Sequence, residues 1–243
     1  MHMRPQIQRI GDLDCRIVRS KEGAPEILVV LCHGYGAPGD DLVPLAGALL
    51  RTLPSDMAPI TFAFPEAPLS LDFGGFGGAR AWWHLDVEAI MEAERAGRAR
   101  DLSGSAPPGL APARERLSAC VAALQEMTGC GPEQLVLGGF SQGAMLTTDL
   151  ALRMPIGPQL LAILSGTLVD AASWRELAPK KRSMPVLISH GDHDPLLPFA
   201  MACALRDQLI ADGLDVSFVP FHGPHAIARP ALERFAELIR EHL

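Results

Sequence analysis

The chain has 243 residues, 48% of them hydrophobic and 20% charged, which suits one full-sized folded domain over 1–243 with a substantial core. Lys plus Arg number 21 against 28 for Asp plus Glu, and a net charge of −7 with no basic stripe gives no electrostatic case for nucleic acid. The five cysteines are odd in number and scattered without a CxxC pair, which argues against a disulfide framework or zinc site and fits a reducing cytoplasm.

The first residues, Met1 to Pro5, run into a polar stretch, so no signal peptide is expected. No apolar run approaches the roughly 20 residues of a membrane span, so no stable membrane insertion is expected either. Along the rest of the chain, short apolar runs bounded by Gly, Pro or Asp alternate with longer segments of helical period. A weak strand over 15–18 is a candidate antiparallel edge. Strand Ile27–Cys32, helix Asp41–Arg51 and strand Ile60–Phe64 come next. Helix Ala113–Met127 then carries Leu117, Val121 and Leu124 at i, i+4 and i+7, a buried stripe. Strand Leu135–Phe140, helix Ala144–Arg153 and strands Leu160–Leu164 and Val186–Ser189 follow. Helix Pro198–Asp212, strand Val216–Phe221 and helix Arg229–His242 complete the series. This alternation predicts an α/β protein, its mostly parallel central sheet covered by helices on both faces.

Residues 68–112 break the rhythm. They hold Gly74-Gly75-Phe76-Gly77-Gly78, the pair Trp82-Trp83 and a charged stretch in which 87–100 predicts a short exposed helix. So much irregular sequence reads as a flap or insert over a site, with a plain surface excursion as the alternative. Trp82 and Trp83 are candidates to line a substrate pocket; core packing is the competing reading.

Gly139-Phe140-Ser141-Gln142-Gly143 matches G-x-S-x-G, a pattern that chance produces readily, but here a buried strand precedes it and a helix follows. A serine on so sharp a strand-to-helix turn has strained backbone angles and projects its hydroxyl above the sheet, and side chains at 139 and 143 would collide. The helix N-terminus also directs backbone N–H groups at an oxyanion. Such a serine needs a base, and the base needs an acid to orient it. Downstream lie His190, His193, His222, His225 and His242. His190 ends a strand and His242 ends a helix. Of the remaining candidates, His225 in the loop His222-Gly223-Pro224-His225 suits a base reaching over the sheet edge better than His222. For the acid, Asp194, stiffened by Pro195 and just ahead of a helix, is preferred to Asp192, which suits tying the loop to backbone N–H groups. His190, Asp192, His193 and Asp194 also invite a metal reading, against which neighbours on an extended loop point in different directions. In His33-Gly34-Tyr35-Gly36, after the first buried strand, the Tyr35 N–H is the candidate partner of the Gln142 N–H in an oxyanion hole, and His33 is expected to be structural.

Taken together, His33-Gly34-Tyr35-Gly36, Gly139-Phe140-Ser141-Gln142-Gly143-Ala144, the segment His190 to Pro198 and Gly223-Pro224-His225 resemble the phospholipase/carboxylesterase family of α/β-hydrolases, which includes acyl-protein thioesterases. The resemblance implies an α/β-hydrolase fold, a triad of Ser141, Asp194 and His225, oxyanion donors at Tyr35 and Gln142, and no metal or organic cofactor. It implies a serine carboxylesterase acting on small-molecule short- or medium-chain acyl esters, with lysophospholipase or acyl (protein) thioesterase as alternatives and a homodimer as the family-level expectation. A non-enzymatic binding protein on the same fold is the reading from another class. Two departures stand out. His84 follows Trp82-Trp83 where the family tends to carry aspartate, and Tyr35 replaces a common leucine.

Overall fold

The computed structural model describes residues 5–71, 78–85 and 102–243. The first four residues, the helix expected over 87–100 and most of the glycine run at 74–78 lie outside these residues.

Among the described residues the apolar runs pair into an eight-stranded sheet. Its members in chain order are β1 (Gln6–Ile10), β2 (Leu13–Arg19), β3 (Ile27–Cys32), β4 (Ile60–Pro65), β7 (Leu135–Phe140), β8 (Leu160–Leu164), β9 (Pro185–Gly191) and β10 (Asp215–Phe221). They lie in the order β1-β2-β4-β3-β7-β8-β9-β10. From β4 to β10 every pairing is parallel, whereas β1/β2 and β2/β4 are antiparallel. The antiparallel strand expected at 15–18 is present but longer, and β1 rather than β2 takes the edge. β1 has the sequence Gln-Ile-Gln-Arg-Ile and is largely exposed, so it carries no apolar run to announce it.

The alternation of side chains along each strand divides the core into two layers. On β3, Leu28, Val30 and Cys32 join one layer, and Ile27, Val29 and Leu31 join the other. The first layer is covered by α2 (Leu110–Thr128), α3 (Gln142–Arg153), the short α4 (Ala171–Leu177) and α5 (Phe199–Ala211). The second is covered by α1 (Pro44–Thr52) and α6 (Arg229–His242). Helix α1 starts at Pro44, not Asp41, because proline at the first helical position forfeits no backbone bond. β10 differs from the expectation of a strand buried on both faces. It is half-buried along its length because it closes the sheet edge, where Pro220 is tolerated.

The parts of 68–112 that are described are anchored to the body. β5 (Leu69–Ser70) and β6 (Arg80–Ala81) form a small antiparallel hairpin, Trp82 and Trp83 are buried in the first core layer, and 110–112 already belong to α2. Glu66 pairs with Arg16 and Arg80 at 2.8 Å each, fastening the hairpin to β2.

Candidate active site

Ser141 stands between β7 and α3 with φ 54° and ψ −117°, a strained conformation for a residue bearing a Cβ. The turn is enforced by close backbone packing. A Cβ on Gly139 would lie 2.6 Å from the carbonyl oxygen of Cys32, and one on Gly143 would overlap the same oxygen. The collision anticipated from the sequence is therefore present, with β3 as the opposing surface. Met145 N–H is the first to bond back, to Ser141 O at 3.1 Å, so the N–H groups of Gln142, Gly143 and Ala144 lack acceptors within the helix.

Asp194 and His225 come from neighbouring loops. Phe221 pairs with Gly191 in the β10/β9 register, so the chain leaves both strands side by side. A Cβ on Gly191 would overlap the carbonyl oxygens of Gly223 and Pro224, and Asp192 N–H donates to Phe221 O at 2.9 Å and His193 N–H to Gly223 O at 3.0 Å. Across this seam His225 Nδ1 donates to Asp194 Oδ2 at 2.6 Å. That bond leaves Nε2 as the free basic nitrogen of the imidazole. The ring of His225 packs on Phe140 at 4.7 Å between centroids, which seats it beside the residue preceding Ser141. The Ser165 hydroxyl donates to Ala226 O at 2.8 Å and holds the histidine loop to the end of β8.

The carboxylate of Asp194 is fully buried yet well partnered. Burial alone would raise its pKa, but hydrogen bonds from His190, His225 and the Leu197 N–H hold it well below the usual carboxylate range. Oδ1 accepts the Leu196 and Leu197 N–H groups at 2.9 Å each, and Oδ2 lies 3.1 Å from His190 Nε2, which also meets Leu197 O at 2.8 Å. Asp192 has a different task. Its Oδ1 accepts the Gly223 N–H at 3.0 Å, the loop-tying role expected for it. His222 projects into solvent, its side chain 86% exposed, while His225 is 12% exposed.

The loop after β3 lies against the serine: a Cβ on Gly34 would sit 3.3 Å from Ser141 Cβ. His33 anchors it, as expected of a structural residue. Its Nε2 accepts the Ala67 N–H at 3.1 Å and its Nδ1 donates to Gly34 O at 2.9 Å, which requires the neutral Nδ1–H tautomer. Burial lowers the His33 pKa and so favours that neutral form. Tyr35 follows in the turn, and among the described residues its N–H donates to no backbone carbonyl.

Sequence reasoning assigned Gln142 only a backbone role, but its buried side chain is a clamp. Oε1 accepts the Trp82 N–H at 2.9 Å and Nε2 donates to Trp83 O at 2.8 Å. Trp82 Nε1 in turn donates to His33 O at 2.9 Å. The Ser141 turn, the β3 loop and the base of the 68–112 insert are thus one hydrogen-bonded unit. Trp82 and Trp83 are each only 2% exposed, and both belong to the core layer. Nothing in residue spacing announces the clamp, since it joins residues about 60 apart, and the His190–Asp194 contact, though only four residues apart, depends on how the chain turns after β9. Gln142→Ala would leave Trp82 N–H and Trp83 O buried without partners. A loss of about 2 kcal/mol in urea unfolding is expected, and unchanged stability would show that the clamp carries no weight.

Similarity to known proteins agrees with this geometry. The model of the phospholipase/carboxylesterase family matches residues 13–243. An acyl-protein thioesterase 1 from Kluyveromyces lactis is 31% identical over 188 residues, covering 74% of this chain and 75% of that protein. A probable carboxylesterase from Oryza sativa subsp. japonica is 29% identical over 217 residues, covering 88% of this chain and 77% of the rice protein. Among solved structures, the esterase PE8 is 31% identical with a TM-score of 0.79, covering 95% of this chain and 99% of PE8.

Proposed function

The chain belongs to the phospholipase/carboxylesterase family of α/β-hydrolases, and on that premise we propose that it is a serine carboxylesterase acting on short- or medium-chain acyl esters through an acyl-enzyme. Its reaction class is hydrolysis of ester or thioester bonds. In the proposed cycle Ser141 Oγ attacks the substrate carbonyl while His225 Nε2 takes its proton. Asp194 holds the Nδ1–H and stabilises the imidazolium that forms. The N–H groups of Tyr35 and Gln142 receive the developing oxyanion, each contributing on the order of 100- to 1,000-fold in rate. His225 then protonates the departing alcohol, and a water, deprotonated by the same imidazole, releases the acid and restores Ser141.

The observation that carries this reading is the 2.6 Å bond between Asp194 and His225, with the imidazole packed against Phe140 next to a serine at φ 54°. Five free cysteines support a reducing cytoplasm as its working compartment, and among the described residues no helix is long and apolar enough to cross a membrane.

Similarity to esterase PE8, at 31% identity and a TM-score of 0.79, supports an oxygen ester as substrate. Thioesterase action is the second reading, supported by that same 31% identity to an acyl-protein thioesterase. A series of p-nitrophenyl esters from acetate to palmitate, run beside an acyl thioester, separates them. We expect kcat/KM to peak between acetate and octanoate and to fall for palmitate. A thioester turned over faster than every ester would replace the carboxylesterase reading with the second one.

A further inference from the structure

The loop that supplies Asp194 divides its polar residues between two directions. His190 and Asp194 turn inward, their side chains fully buried, whereas Asp192 and His193 face solvent. The four residues do not share one metal-binding direction, but Asp192 and His193 face the same way, and the β9/β10 register brings a third side chain, His222, to them from just beyond β10. His193 Nδ1 lies 2.6 Å from Asp192 Oδ1, His222 Nδ1 lies 3.2 Å from Asp192 Oδ2, and the two imidazole rings meet edge to face at 4.6 Å.

We propose that Asp192, His193 and His222 form a surface site for a divalent ion of zinc type, separate from the Ser141 site. One ligand atom from each residue falls within 4.8 Å of the others. Zinc bonds of about 2.0–2.2 Å in tetrahedral geometry put ligand atoms roughly 3.4 Å apart, so the two hydrogen-bonded pairs need to open by less than about 1 Å and no pair needs to close by more than about 1.4 Å. Side chains 67% and 86% exposed, as those of His193 and His222 are, make that adjustment without moving the backbone. The carboxylate is already oriented by a backbone partner, since Gly223 N–H bonds to Asp192 Oδ1 at 3.0 Å. Two imidazoles and a carboxylate suit zinc, copper or nickel rather than magnesium, and three protein ligands facing water leave a coordination position for solvent. Because the ligands come from both sides of the seam that presents Asp194 and His225, a bound ion would cross-link the two loops.

The test is calorimetric titration of the whole protein with zinc chloride under reducing conditions, beside the double variant His193→Ala/His222→Ala. Both replaced side chains are exposed and form no part of the core, and circular dichroism checks the fold of the variant. We expect one equivalent bound by the unsubstituted protein and affinity weaker by about 100-fold or more in the variant. At zinc near 100 times Kd the unfolding midpoint should rise by about 5 °C or more in the unsubstituted protein alone. Excess magnesium should leave zinc bound. Equal zinc affinity in the two proteins, or displacement of the ion by magnesium, overturns the proposal. Neither substitution touches Ser141, Asp194 or His225, so ester hydrolysis remains an independent measurement.

Discussion

Ser141→Ala is expected to lower kcat/KM for every ester by about 10,000-fold or more while leaving the unfolding midpoint unchanged. The reasoning separates chemistry from structure. Alanine keeps the Cβ that rests near Gly34, and it suffers the same backbone strain at φ 54° that serine does. Only the hydroxyl is lost, and with it the proposed nucleophile. Under the proposed mechanism, transition-state binding by the Tyr35 and Gln142 N–H groups survives and keeps a residual rate above that in water. Kinetics of the purified variant and labelling by a fluorophosphonate read the outcome together. A variant that kept full activity, or that still took up the probe at one equivalent, would remove Ser141 from the mechanism and leave the binding-protein reading to be weighed.

Asp194→Asn is expected to cost about 10,000-fold in kcat and stability as well. The present carboxylate accepts from four sides: His225 Nδ1 and His190 Nε2 on Oδ2, and two N–H groups on Oδ1. Asparagine can satisfy only one of these pairs. With its oxygen toward Leu196 and Leu197, its NH2 faces two ring N–H donors. His225 must then turn or adopt the tautomer that protonates Nε2, and a base protonated there accepts no proton from Ser141. The unmet donors cost about 1–3 kcal/mol. This differs from Ser141→Ala, where stability is untouched, and urea unfolding tells them apart.

The same carboxylate sets an acid limit. Asp194 is buried, but the hydrogen bonds from His190, His225 and Leu197 hold its folded pKa below the ordinary value. A depressed carboxyl pKa contributes stability that is fully present above the unfolded value near pH 4, by about two units, and is lost as pH falls toward the folded one. The stability difference between the unsubstituted protein and Asp194→Asn should accordingly narrow below about pH 4. A difference that stayed constant through that range would mean that the ionised carboxylate is not what the fold relies on.

How far the sequence reached can be judged element by element. β3, β7 and β8 were legible because each is a short apolar run buried on both faces, a pattern that local composition carries. β1 was not, because an exposed edge strand needs no apolar run, and α4 was not, because a single seven-residue helix has too little period to detect. The strained serine was legible for a local reason too: Gly139 and Gly143 flank it at the spacing a sharp strand-to-helix turn demands. The Gln142 clamp was invisible, since Trp82 lies 60 residues away and only folding brings its N–H to that amide.

What the sequence determined by itself was the order of the buried strands and the longer helices, the sharp turn at Ser141 and the set of histidines and aspartates downstream. Those features act over a few residues, through glycine sterics, apolar period and chain order. The tertiary structure alone decided which of those side chains meet. Asp194 reaches His225 across 31 residues because β9 and β10 pair in one register, with Phe221 opposite Gly191. That register turns Asp194 and His190 into the protein, and it sends Asp192, His193 and His222 out together into water. Inward and outward faces of a loop follow from strand pairing, a long-range choice that no local pattern of residues contains.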